Sequence, residues 1–340
     1  MNLKLNETLY RPENDNIYTS ENNLFKLHFD NTGSDAVPQN YNFHTSIPDY
    51  IILSSQYLEA SYFYLHDTLG FAIPPIDDST DPQIDVYFSN LGNGNYGGTM
   101  PENSVTSTLR ANDWTSYIQI DNDMIGDLFF TQDTSALKVT CAHELFHVFQ
   151  LGYNFFGTDV WYLEACAVWF EDKMYPEVND YLQYADEYKN NWGQQINKQG
   201  SPDFYQLYSW NLFLDEKFKD NAENPILDIW ENILETNAIT SLSTFFMENG
   251  ITWESALSEW GISQIYCGEN NFPEESLFPD AELIPQIRFD NYPNNYSFFN
   301  TKKILSQEIT NEKYSNSFYK IIDIPSVKVH FESDNSYSIS

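Results

Sequence analysis

The sequence predicts an α+β protein, and three features predict it. Short runs of Ile, Val, Phe and Tyr occur early, at residues 84–88 and 116–120. Helical periodicity then fills the middle third, and after Pro285 short alternating runs return.

Residues 1–46 are polar, rich in Asn and weakly periodic, with one strand-like stretch at 24–29, and are expected to form an N-terminal extension. From Pro48 onward, Ile51, Ile52, Ser55, Leu58, Tyr62, Leu65 and Leu69 recur at helical spacing, and Gly70 follows as a stop. Residues 84–88 read as a strand running into a Gly-rich turn at 91–98, and residues 116–120 as a second strand. Asp133 or Thr134 suits a helix cap ahead of Leu137, Cys141, Leu145, Val148 and Phe149, with a stop near Gly152. Asp159 suits the cap of the next helix, whose apolar residues include Trp161, Leu163, Ala165, Val168 and Trp169, and which ends before Pro176. Residues 203–262 continue as helical segments, and residues 285–340 read as a β-rich C-terminal appendage. The main domain is therefore expected at 47–284.

The segment His143-Glu144-Leu145-Phe146-His147 sets two imidazoles four residues apart, one helical turn, so that both rings can reach one metal ion. Zn2+ suits that pair. Glu144, beside the first ligand, is placed to take a proton from a metal-bound water rather than to bind the metal. A catalytic zinc needs three protein ligands and a water, and Glu164, on the following helix after sixteen intervening residues, supplies the third. Glu171 lies seven residues further along the same helical face, where it could orient a histidine ligand or be an ordinary solvated acid. His28, His44, His66 and His330 have no metal spacing and read as structural or exposed.

Composition narrows the partners. The 340 residues carry 50 acidic against 16 basic side chains, a net charge of -34, which would repel nucleic acid and anionic membrane. The acidity reads either as a hydrated surface or as a means of binding calcium or a cationic substrate, and no calcium-loop spacing supports the calcium reading. No run approaches the roughly 18 apolar residues of a membrane span. The N-terminus has no apolar signal-peptide core, so a secreted or cell-surface location is expected with the signal removed, a cytoplasmic one being the alternative. There are three cysteines, and Cys141 and Cys166 each sit two residues from a candidate ligand. Either they pair, or they are small buried apolar residues.

These residues resemble the gluzincin metallopeptidases, in which His-Glu-x-x-His is completed by a downstream Glu ligand. The segment from Trp161 to Glu171 is similar to the Trp-x-x-Glu-Gly-x-Ala helix of the aminopeptidase branch, with Ala165 in place of the usual Gly. Ala142, Gln150 and the Asp85-Val-Tyr strand with its Gly-rich turn are closer to little-characterised bacterial metalloproteases. The similarity spans roughly residues 45–235, and only the two helices carry a motif.

The resemblance implies a zincin-like fold. Residues 47–284 would form its catalytic domain, with a mixed sheet whose edge strand, residues 116–120, binds an extended peptide above the metal. It also implies a downstream Tyr or His for the developing oxyanion, for which Tyr205 and Tyr208 are the candidates. Residues 98–103 are similar to an exopeptidase Gly-x-Met-Glu-Asn signature interrupted by Pro101, so Glu102 is either an amine-binding residue or an ordinary loop acid. The expected activity is zinc-dependent hydrolysis within protein or peptide chains. The alternatives are an aminopeptidase, or a non-catalytic binding protein that keeps the fold and uses its 17% aromatic content for contacts.

Overall fold

The computed structural model describes residues 11–77, 79–105, 112–155, 159–185, 196–197, 207–220, 224–270, 278–285, 296–297 and 321–322. Its centre is a mixed five-stranded sheet: β1 (Asn16–Thr19), β2 (Phe25–Phe29), β3 (Ile84–Ser89), β4 (Gly97–Val105) and β5 (Asp113–Asp121), in the spatial order β1-β2-β3-β5-β4. The β2–β3 and β3–β5 pairs are parallel, and β1–β2 and β4–β5 are antiparallel.

Alternation on the strands decides which face is covered. Phe25, Leu27, Phe29, Val86, Phe88, Ile118 and Ile120 are all essentially buried in the core. Onto that face pack α1 (Asp49–Phe63) and α2 (Asp133–Leu151). Helix α1 continues through a wider π turn at Tyr64–Thr68, and Gly70, at φ 81°, ends it where a stop was expected. Helix α2 runs to Gly152 as expected, while Asp133 opens it at φ 57°, outside helical geometry.

Helix α3 (Val160–Met174) is buried from Trp161 to Asp172 because α2 packs on one side of it and α4 (Tyr208–Phe218) on another. Helices α5 (Pro225–Ile233), α6 (Ala238–Glu248) and α7 (Trp253–Ile265) complete seven α-helices among the described residues. Trp161, Trp169, Trp210, Trp230 and Trp260 are all buried in this helical half. At about 1.5–3 kcal/mol for each large apolar side chain removed from water, they contribute substantially to its cohesion. No helix among the described residues is long and apolar enough to cross a membrane.

Two expectations are corrected. Residues 1–46 are not simply an extension, because β1 and β2 belong to the sheet and β2 pairs in parallel with β3. Residues 116–120 are not an edge strand, because β5 is flanked by β3 and β4. The edge on that side is β4, which starts at the last two residues of the expected Gly-rich turn, Gly97 and Gly98, and continues through a bulge between Pro101 and Ser104. Of the expected β-rich appendage, β6 (Tyr296–Ser297) and β7 (Ile321–Ile322) form a short parallel pair, and the remainder of residues 286–340 lies outside the described residues.

Candidate metal centre

One turn of α2 and one residue of α3 converge on a point between the two helices. His143 Nε2 and His147 Nε2 are 3.0 Å apart, and Glu164 Oε2 lies 3.3 Å from the first and 3.5 Å from the second. Among the described residues, these three form the one group of His, Cys, Asp or Glu side chains whose donor atoms all lie within 4.8 Å of one another. His147 and Glu164 are buried, and His143 keeps 11% of its side chain exposed, which gives the centre its outlet.

The second nitrogen of each ring fixes the tautomer. His147 Nδ1 lies 2.6 Å from Gln150 Oε1, and the Gln150 amide is oriented by donation from Nε2 to the Leu163 carbonyl at 3.0 Å. His147 Nδ1 must therefore carry the proton. His143 Nδ1 lies 2.5 Å from Glu171 Oε1, which likewise requires a donor. Both Nε2 atoms are thus left as lone-pair donors aimed at each other and at a carboxylate, an arrangement that a cation satisfies. The surrounding charge favours a cation at this point, whether a proton or a metal ion. Burial opposes charge on His143, yet hydrogen bonds to Glu164 and Glu171 outweigh it and hold the imidazole well above its usual range. Burial also opposes charge on Glu164, and the two imidazoles outweigh it, holding that carboxyl well below its usual range. Burial pushes Glu171 up to about 7, against the pull of His143. Two imidazole nitrogens and one carboxylate form a donor set that fits a metal ion, with His143, His147 and Glu164 as ligands.

Glu144 is held by the edge strand. Thr99 Oγ1 of β4 lies 2.8 Å from Glu144 Oε2 and 2.8 Å from its backbone carbonyl. Two residues earlier, a Cβ on Gly97 would come within 2.9 Å of Glu144 Cγ and Thr140 Cγ2, so only glycine lets β4 approach α2 this closely. The candidate base is therefore clamped between its own helix and β4.

Tyr208 and Glu102 have partners of their own. Tyr208 opens α4, is 2% exposed and packs its ring on Tyr181 with centroids 4.8 Å apart. Tyr205 lies outside the described residues. The phenol on which Glu164 and Glu171 act is that of Tyr184, in the short 3-10 turn Asp180–Tyr184, and the same residue feels Tyr96 and Asp180. Tyr96 in turn bonds the Thr131 carbonyl at 3.0 Å, and burial together with Asp180 pushes its pKa up to about 12. Glu102 does not stand as a free amine receptor, because both its oxygens accept from Arg11, at 2.8 and 2.6 Å. Cys141 and Cys166 are buried free thiols: Cys141 lies against the Ser54 carbonyl, and Cys166 accepts from Asn211 and Trp230.

Spacing singles out His143, His147 and Glu164, and it does not single out Gly97, Thr99 and Tyr184. Glycine and threonine carry no metal signal, and Tyr184 is one of 24 tyrosines with no periodicity to mark it. No curated protein matches this chain, and no solved structure does. Residues 18–230 match a family of unknown function, DUF6055, across both sheet and metal-centre helices. Because that match spans more than half of the 340 residues, the chain belongs to the DUF6055 family.

Proposed function

We propose that this protein is a zinc-dependent endopeptidase of gluzincin type, with a zincin-like catalytic domain. The observation that carries the reading is the convergence of His143 Nε2, His147 Nε2 and Glu164 Oε2 beside a glutamate clamped by the sheet's edge strand. The nitrogen and oxygen donor set favours zinc, which His143, His147 and Glu164 would hold, with His143 on the partly exposed side. When bound, zinc supplies a Lewis acid that lowers the pKa of a coordinated water and polarises a carbonyl.

The remaining chemistry falls to the chain itself. Glu144 accepts the water's proton and delivers it to the leaving amine, and Thr99 keeps the carboxylate from swinging out of reach. Glu171 and Gln150 hold the ligand rings in one tautomer and one orientation. Tyr184, a buried phenol on which Glu171 and Glu164 both act, is assigned the donor role toward negative charge developing near Glu164. Strand β4 ends the sheet on this side, so its outer backbone edge can pair with an extended peptide. The engagement of Glu102 with Arg11 favours cuts inside a chain over capture of its amino terminus.

The test is mass-spectrometric profiling of a peptide library with the zinc-loaded wild type and with Glu144→Gln. Interior cuts by the wild type alone are expected. Equal cleavage by both proteins, or cleavage confined to the first residue, would overturn the reading.

A further inference from the structure

The loop between β5 and α2, residues 122–132, is tied down at several points and still turns three large apolar side chains to solvent. Ile125 is 57% exposed, Leu128 73% and Phe130 62%. At the start of the loop, Asp121 Oδ1 accepts from the Asp123 and Met124 amides at 3.2 and 2.9 Å, and Met124 is fully buried. Phe129 is buried between its exposed neighbours, with its ring edge-on to Tyr96 and the centroids 4.9 Å apart. The Tyr96 hydroxyl accepts from the Thr131 amide and donates to the Thr131 carbonyl, both at 3.0 Å. With Met124 and Phe129 pinned inward, the side chains between and beside them are held outward.

The same contacts place the loop next to the metal centre. A Cβ built on Gly94 would come within 2.7 Å of the Leu128 carbonyl oxygen and 3.1 Å of Leu128 Cβ. Three residues later, Gly97 makes the same kind of approach to Glu144. Three residues of chain span at most roughly 11 Å, so Leu128 stands close to the point where β4 meets the candidate base.

Charge and area narrow the occupant. Residues 121–133 hold four aspartates and no lysine or arginine, and Asp127 is exposed beside Leu128. An anionic membrane is repelled by this loop and by the net charge of -34. Three side chains of this kind expose on the order of 300–400 Å², well under the roughly 800 Å² that each partner buries in a stable dimer. An extended chain carrying a large apolar residue with basic neighbours complements both features.

We propose that Ile125, Leu128 and Phe130 form a substrate-recognition surface for unstructured polypeptide segments in which a large apolar residue is flanked by basic ones. The inference rests on the peptidase reading for its place beside the cleft. A peptide paired to the outer edge of β4 runs past Gly97 onto this loop, so its apolar residue sits a few positions to one side of the bond that is cut.

The test keeps the two claims apart. Fluorescence anisotropy of a labelled peptide of Leu and Phe alternating with Lys reads binding to the full-length Glu144→Gln protein, without turnover. Leu128→Ser and Phe130→Ser, each added to that background, are expected to weaken binding about 10-fold, the loss of one apolar contact. Met247→Ser, which removes an equally exposed apolar side chain from α6, is expected to leave it unchanged. In library cleavage by the zinc-loaded wild type, Leu or Phe is expected at a fixed distance from the cut, with that preference lost in Leu128→Ser and Phe130→Ser; Ile125→Ser serves if either fails to fold. Equal binding by the variants, with interior cuts retained, would overturn the inference and leave the peptidase reading standing. Loop-dependent peptide binding without any cleavage would do the reverse. Self-association in sedimentation, or binding to phosphatidylcholine vesicles, that depends on these side chains while the peptide does not bind would assign the surface to a second copy or to a membrane and overturn the inference equally.

Discussion

Replacing Arg11 by alanine should loosen the strand that holds Glu144. The Arg11 guanidinium lies over the Tyr117 ring of β5, 5.6 Å from its centre, and bonds Asp85 of β3 and Glu102 of β4, with Asp77 as a third carboxylate. It therefore crosses three adjacent strands on the face of the sheet opposite Val86 and Ile118. Its side chain is 32% exposed, against 9% for Asp85 and 16% for Glu102. Removing one partner of a buried pair costs about 3–5 kcal/mol. Exposure of the guanidinium reduces this to about 2–3 kcal/mol, which for a chain of this size is a fall in Tm of about 3–4 °C. The pH dependence carries a sign. Burial raises the Asp85 carboxyl, but His28 and Arg11 outweigh it and hold it below its ordinary value. That contribution is present above the unfolded pKa and is lost as pH falls through the folded one, so wild type and Arg11→Ala should converge in acid. Thermal melts from pH 7 down to about pH 3, with hydrogen exchange read at Gly97–Val105, test both statements. A Tm within about 1 °C of wild type at neutral pH, with β4 amides equally protected, would refute the reasoning.

Thr99→Val keeps the shape and removes the donor to Glu144; a lost hydrogen bond to a charged group, about 1.5–3 kcal/mol, predicts a 10- to 100-fold lower kcat/KM with unchanged zinc content. Glu171→Gln should weaken zinc binding by about 10- to 100-fold in chelator competition, because His143 loses the carboxylate that orients it. Gly97→Ala should impair turnover more than metal binding, since the added methyl meets Glu144 and Thr140 rather than the ligands. Burial pushes Asp159 from 3.8 up to about 6, with the Ala238 amide acting against the rise, so its contribution to stability falls as pH climbs between those values. Asp159→Asn should remove that slope and raise stability at pH 7 by about 1–3 kcal/mol, read from denaturant melts at pH 4 and 7.

The parts legible in the sequence are those whose chemistry imposes a spacing. Two histidines that share a metal must lie one helical turn apart, and α2 shows that spacing with its apolar stripe intact. Glu164 was legible because α3 follows at once and carries this carboxylate in its first half, about two turns before Glu171 and Asp172. Strand β4 was not legible. Gly97, Gly98, Pro101, Glu102, Asn103 and Ser104 each favour turns or loops, and what makes them a strand is pairing with β5 and close approach to α2. The four residues Asn16–Thr19 likewise become β1 by pairing with β2. The role of Arg11 depends on partners 66 to 91 positions away, which no local pattern reports.

The central claim is that His143, His147 and Glu164 hold zinc while Glu144 does not, and metal stoichiometry tests it most directly. Elemental mass spectrometry on wild type, Glu144→Gln, His147→Ala and Glu164→Gln, each shown to be folded, is expected to find one zinc per chain in the first two and almost none in the others. Stoichiometric zinc in His147→Ala and Glu164→Gln, or its loss in Glu144→Gln, would contradict the account.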